Sequence, residues 1–261
     1  MPPAMSTSPI KVTLLTLCIS LAALGCGTET YQQRIVGNTI PLFQYKQELD
    51  SNLGPEWRKG EVRVRLPAGF NEIPAPKKEQ PDRRLPSGFP EELTGLLGGF
   101  RGTAKAMTAD GGSVETPMYA LVLSNRALLA AREPEVKPQD FDRMLANIIS
   151  GITGGGSLSA NALKPVSVGG KGFAPDLRFD TISFDAAGSA VPMRYDIYVR
   201  RESRLQVALV FIIPKEVDRS HPIQNQINLS LQTLRIEQGT SSGAAPTPAA
   251  SSTTEGGSPG F

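Results

Sequence analysis

The sequence predicts an α+β domain over residues 61–237, in which helices pack on an antiparallel sheet. Two observations lead to this class: six segments have the apolar pattern of strands, and they fall into two groups of three, each followed by an amphipathic helix. A chain of 261 residues has room for one such domain with flexible flanks. Because 27 basic residues nearly balance 25 acidic ones, its charge indicates no nucleic-acid partner.

The first group of strands begins at Glu61. Val62, Val64 and Leu66 alternate with two arginines, a period of two that is typical of a strand with one buried face. Residues 97–107 and 117–125 are the next strands, and the turn-forming residues 110–112 between them favour a hairpin. The segment 117–125 is apolar on both faces, so we expect it to be central in its sheet.

The clearest helix follows Asp140, a good N-cap residue. Its apolar residues recur at helical offsets, namely Phe141, Met144, Leu145, Ile148, Ile149 and Ile152. Three glycines at 154–156 are expected to end it. One face of this helix must therefore pack on the sheet.

The second group contains residues 176–185, 192–200 and 205–213, with a polar turn at 201–204. The short connections predict an antiparallel meander. A closing helix is expected to begin at Ser220 and to place apolar residues at near-helical spacing, namely Ile223, Ile227, Leu231 and Leu234.

This order of elements resembles the PsbP-like fold. The resemblance covers about residues 61–237 and is carried by the segment Val62–Phe70 and by Leu209–Pro214 followed by a helix that ends at Ile236. It implies an α/β/α sandwich without enzymatic activity, acting as an assembly or binding module beside a membrane complex. The resemblance transfers no functional residue to this chain.

Residues 1–25 are expected to be a lipoprotein signal peptide. A basic residue, Lys11, precedes an uncharged apolar run that ends in small residues, which is the pattern of an export signal peptide. The segment Ala22–Cys26 resembles the lipobox of bacterial lipoproteins, although the usual leucine three residues before the cysteine is replaced by Ala23. Lipidation of Cys26 is therefore predicted; the alternatives are an ordinary secretory signal cut near Gly25 and an uncleaved anchor, in either of which Cys26 is a free thiol.

Cysteine usage agrees with lipidation. Cys18 would leave with the signal, so Cys26 would be the one remaining cysteine, and an unpaired thiol is unusual in an exported protein. Acylation would hold the domain at a membrane. Gly27, where an aspartate would favour inner-membrane retention, indicates delivery to the outer membrane. Residues 26–60 are expected to form a tether, and the Gly-, Ser- and Pro-rich residues 238–261 a disordered tail.

The sequence contains no recognisable motif for catalysis, for a metal or for a cofactor. The sole histidine, His221, is expected at a surface helix start, and the glycines at 151–156 and 169–172 do not match a phosphate-binding loop. Asp176, Asp180 and Asp185 lack the spacing of a calcium loop. The basic residues of the proline-rich segment 74–90 are either a patch for anionic partners or a solvated loop, namely Lys77, Lys78, Arg83 and Arg84.

The leading hypothesis is a non-enzymatic envelope lipoprotein that binds a protein or another envelope component. One alternative is a hydrolase that uses two carboxylates. Another is a carrier of a small apolar ligand, which would need a large apolar cavity.

Overall fold

A computed structural model describes residues 31–74, 95–108, 111–132, 136–153, 162–170, 172–186, 191–217 and 222–237. Its helices are α1 (Ile40–Asn52, after a π-helical turn at Ile35–Thr39), α2 (Arg126–Arg132), α3 (Pro138–Thr153) and α4 (Ile223–Thr233). Its strands are β1 (Leu53–Lys59), β2 (Val62–Pro67), β3 (Asn71–Glu72), β4 (Leu96–Met107), β5 (Ser113–Ser124), β6 (Lys164–Val168), β7 (Leu177–Ala186), β8 (Met193–Glu202), β9 (Leu205–Pro214) and β10 (Arg235–Ile236). The α+β class is confirmed.

The main sheet has seven strands in the order β3-β4-β5-β9-β8-β7-β6. Each of its described pairings is antiparallel. The hairpin predicted between residues 97–107 and 117–125 is β4–β5, and the predicted meander is β7–β8–β9. Both predictions are confirmed. As expected for residues 117–125, β5 is an inner strand of the sheet, and it pairs with β9, the fourth of the seven strands.

Helices cover the sheet on both faces. On the first face, α4 and a small sheet of β1, β2 and β10 bury one set of alternate residues of β5 and β9, including Val122 and Phe211. On the second face, α3 buries the other set, including Leu121 and Val210. Four of the apolar positions predicted for the α3 face are buried there, namely Phe141, Leu145, Ile148 and Ile149. The period-two and helical patterns therefore locate the core correctly.

The predicted tether over residues 26–60 is wrong where the structure describes it as α1 and β1. β1 pairs with β2, Leu53 is buried, and the Trp57 ring meets Phe100 edge to face at 5.4 Å. Arg65 on β2 holds α1 and β1 in place through Asp50 at 2.7 Å and the carbonyl of Gly54 at 2.9 Å. Neither element shows a sustained apolar period, because α1 has no buried residue and β1 contributes only Leu53 and Trp57 to the core.

Several element ends also differ from the sequence prediction. Helix α3 begins at Pro138, so Asp140 lies in its first turn rather than at the N-cap, and β5 begins at Ser113 rather than at residue 117. The closing helix stops at Thr233 rather than Ile236, because β10 pairs with β2 and draws the chain into the small sheet. Arg201 and Glu202 belong to β8 rather than to the turn, and the tight turn has Ser203 at φ 54°. The signal, residues 1–25, and the tail, residues 238–261, lie outside the described residues.

Candidate functional site

Several residues singled out in the sequence lie outside the part of the chain that the structure describes. These are Cys26, His221, and the four basic residues Lys77, Lys78, Arg83 and Arg84. In the described part, no helix is long and apolar enough to cross a membrane. Because Cys26 lies outside the described residues, its lipidation stays a prediction.

The three aspartates are not brought together. Asp180 faces α3 and is paired with Arg201 at 2.8 Å, whereas Asp185 is paired with Lys215 at 2.7 Å, and Asp176 lies in the exposed connection before β7. Across the described ranges, no group of three or more acidic, histidine or cysteine residues is arranged to hold a metal ion.

The glycines after β6 shape a turn. Gly169, Gly170 and Gly172 have φ values of 92°, 73° and 60°, which other residues rarely adopt. A Cβ on Gly169 would lie 2.1 Å from the carbonyl oxygen of Pro175. This close approach of Gly169 to the backbone of Pro175 supports the prediction that the glycines form a turn.

The structure presents a candidate site at the β6 edge of the main sheet. Here a groove of about 700 Å³ lies between the sheet, α4 and α1, and we call it the edge groove. Its lining includes five residues that carry hydroxyl groups, three that carry amides and one carboxylate, namely Tyr45, Ser167, Thr181, Ser183, Tyr198, Asn225, Asn228, Gln232 and Glu48. The rest of the lining is apolar or glycine, namely Val166, Val168, Gly169, Ala174 and Leu229, so the groove combines mostly uncharged polar groups with a similar amount of apolar surface.

The sheet supplies the floor of the edge groove. On β7 the buried Leu177 and Phe179 alternate onto the same face as Thr181 and Ser183, so the strand changes from core to groove along its length. Tyr198 on β8 lies directly opposite Thr181. The floor of the groove is thus the part of the first sheet face that continues beyond the core residues Leu177 and Phe179.

Helix α4 supplies one wall. Asn225, Asn228 and Gln232 are spaced by three and four residues, which places them on one stripe of the helix, while Ile223, Ile227 and Leu231 face the core. The Oε1 atom of Gln232 is buried and has no hydrogen-bond partner within the described structure. Such an atom is costly to leave unsatisfied, and Gln226 and Ser230 on the same helix also have buried polar atoms without a partner among the described residues.

A polar network that runs from the exposed Gln224 to the buried Asp196 supports Tyr198. Its hydroxyl is hydrogen-bonded to Gln224, which also accepts a hydrogen bond from Arg194, and Arg194 pairs with the buried Asp196 at 2.9 Å. Burial raises the pKa of Tyr198, the charge of Asp196 raises it further, and the contacts with Gln224 and Arg194 oppose the shift. Tyr198 therefore stays a neutral hydroxyl at physiological pH.

Tyr45 and Glu48 come from α1 and form the second wall. Burial raises the pKa of Tyr45, while the charge of Arg235 lowers it and that of Glu48 raises it again. Since α1 was expected to be tether, the sequence did not point to these residues. The polar stripe on α4 was visible as a three-and-four spacing, but solvated helix faces have the same spacing.

Comparisons with known proteins do not place this chain in a family. No family model matches it, and no curated protein matches it. A crystal structure from Bacteroides thetaiotaomicron is similar over 71% of this chain and 49% of that one, with 9% identity and a TM-score of 0.37. The matched region is thus about half of that neighbour's length.

Proposed function

We propose that this chain is a lipid-anchored lipoprotein of the cell envelope whose α+β domain is a non-enzymatic binding module. The observation that carries the location is the segment from Lys11 to Cys26, in which a basic residue, an apolar run and small residues precede the cysteine. Diacylglycerol and a further acyl chain on Cys26 would give a stable anchor. With Gly27 after the cysteine, the proposed destination is the outer membrane.

The proposed domain is a PsbP-like α/β/α sandwich. Helices on both faces of an antiparallel sheet and the β7–β8–β9 meander support this more specific assignment. The small sheet of β1, β2 and β10 adds to the layer formed by α4.

The edge groove supports a binding role. It opens at the end of the sheet, and two helices and three strands each contribute side chains to it. These side chains are held by packed secondary structure, which is the arrangement that specific recognition needs.

The two alternative functions have different requirements. A carboxylate-based hydrolase needs two facing acidic groups, and among the described residues that line the edge groove the carboxylate is Glu48. A carrier of an apolar ligand needs a large apolar cavity, whereas this groove is rich in hydroxyls and amides. We therefore favour the binding module.

Intact mass of the protein extracted from membranes in detergent tests the anchor. The natural chain is expected to begin at Cys26 and to carry the mass of diacylglycerol, and Cys26→Ser should lose both the added mass and the membrane fraction. Cross-linking in intact cells then seeks the envelope partner. An unmodified chain in the soluble fraction would contradict the proposal.

A further inference from the structure

We infer that the edge groove binds an uncharged glycan. This inference rests on the proposed function, because it names the ligand class of the proposed binding module. Four features of the groove support this ligand class: its hydrogen-bonding groups, its tyrosines, its charge and the strand beside it.

The hydrogen-bonding groups match those of a sugar. Each of Asn225, Asn228 and Gln232 has an amide that both donates and accepts, and the hydroxyls of Ser167 and Ser183 also do both. Sugar hydroxyls and acetamido groups have the same dual character. The amides of Asn225 and Asn228 are exposed to a ligand hydroxyl, whereas the unpaired Oε1 of Gln232 is buried and would meet one only after its side chain turns.

A half-buried tyrosine, Tyr45 on α1, adds apolar area that ends in a polar group. Tyr198 on β8 also lines the groove, but its ring is buried against Phe179 and Phe211, so it contributes little apolar area to a ligand. A tyrosine ring offers an apolar face and a hydroxyl tip. The C–H face of a sugar ring with its outward hydroxyls has the complementary pattern.

The charge of the groove favours a neutral ligand. Glu48 is the charged side chain among its described lining residues, and Arg235 is near enough to lower the pKa of Tyr45. The two charges oppose each other, so the groove offers little net attraction to an anion or a cation. The lining residues that the structure describes include no cluster of like charges to match a phosphorylated or strongly charged ligand.

The adjoining strand disfavours a peptide. β6 is the edge of the main sheet, and an extended peptide would have to pair with its outer side. The strand is only five residues long and contains Lys164, which is charged, and Pro165, which has no backbone N–H. Both features commonly prevent another strand from pairing with a sheet edge. Binding through side chains, as for a sugar, needs no such pairing.

The test is titration of the full chain with chitotetraose and cellotetraose at millimolar concentration, followed by calorimetry and by NMR of side-chain amides. We expect at least one of these neutral tetrasaccharides to bind and to shift the amide signals of the groove. Asn228→Ala, at an exposed position, should weaken the binding about tenfold. Asn147→Ala is the matched control, since Asn147 is also exposed but lies on α3, across the sheet.

Two results would overturn the inference: neither tetrasaccharide binds, or binding is equally strong in Asn228→Ala. Selective binding of an extended peptide in their place would also overturn it. The anchor is judged separately by the mass of the mature chain. A lipidated chain that binds no tetrasaccharide refutes the glycan alone, and an unlipidated chain that binds one refutes the anchor alone.

Discussion

Arg201 on β8 and Asp142 on α3 form an ion pair with 2.9 Å between Nη2 and Oδ1, and this pair ties the helix to the sheet. The Nε of Arg201 also donates to Asp180 on β7 at 2.8 Å. Burial opposes the charge of Arg201, but its hydrogen bonds to the two aspartates outweigh burial and raise its pKa. The carboxylate of Asp180, a possible ligand group in the sequence, is thus part of a structural contact.

We predict that Arg201→Met destabilises the fold, because it leaves two partly buried carboxylates without their cation. The free energy of unfolding should fall by about 1 to 3 kcal/mol. Urea unfolding measures the change. Arg143→Met on α3 is the control. The Arg143 side chain is 72% exposed, so its contact with Asp140 should contribute less than about 0.5 kcal/mol. Equal effects of the two substitutions would contradict the assigned role.

A second prediction concerns Gly98, which lies under Trp57. A Cβ at this position would be 2.6 Å from Cζ2 of the indole ring. Gly98→Ala should therefore displace Trp57 from Phe100 and cost about 1 to 3 kcal/mol. Because the chain has a single tryptophan, its fluorescence spectrum reports the displacement directly.

The control for Gly98 is Gly151→Ala on α3. A Cβ at Gly151 meets no atom within 4 Å, so this change should leave the fluorescence alone and add up to about 1 kcal/mol of stability. An unchanged tryptophan spectrum in Gly98→Ala would show that the indole does not rest on this glycine.

A third prediction follows from the domain boundary. A chain that begins at residue 31 should fold, whereas one that begins at residue 61 lacks β1 and the buried Leu53. The loss of this strand should cost at least about 3 kcal/mol, and exposed β2 should promote aggregation. Solubility and urea midpoints of the two chains check this. If both chains fold equally well, residues 31–60 are not needed for the fold, which is what the tether prediction requires.

The fourth prediction is a loss of stability at alkaline pH. Burial raises the pKa of Tyr198 above its ordinary value of 10.0, so the unfolded chain releases this proton first. Stability from this group is complete below pH 10 and is lost as pH rises through the higher folded-state pKa. Melting temperatures measured across this range should fall more steeply for the natural chain than for Tyr198→Phe.

Tyr195 provides the comparison for that alkaline experiment, because burial also raises its pKa although it faces α3 rather than the edge groove. Tyr195→Phe should reduce the pH slope in the same way. Chitotetraose, if it binds, should protect Tyr198 from titration and leave Tyr195 unaffected. Parallel slopes for the natural chain and both variants would refute the assigned shifts.

The sequence by itself determined the strands and helices whose apolar residues repeat with a regular period. β5 and β9 are recognisable because side chains on both of their faces are buried and apolar. α3 is recognisable because the buried residues of its one core face recur at helical spacing. The local turn residues between β4 and β5 were enough to predict their pairing. The proposed lipid anchor at Cys26 likewise rests on a local pattern alone.

Only the tertiary structure decided the order of the seven strands, the place of α1 and β1, and the edge groove. Trp57 packs on Phe100, which lies more than 40 residues away along the chain, and β1 shows no period that would reveal this contact. Tyr45, Thr181 and Asn228 come from three elements that are distant in sequence. Contacts of this kind depend on how the elements pack, so no pattern within a single segment records them.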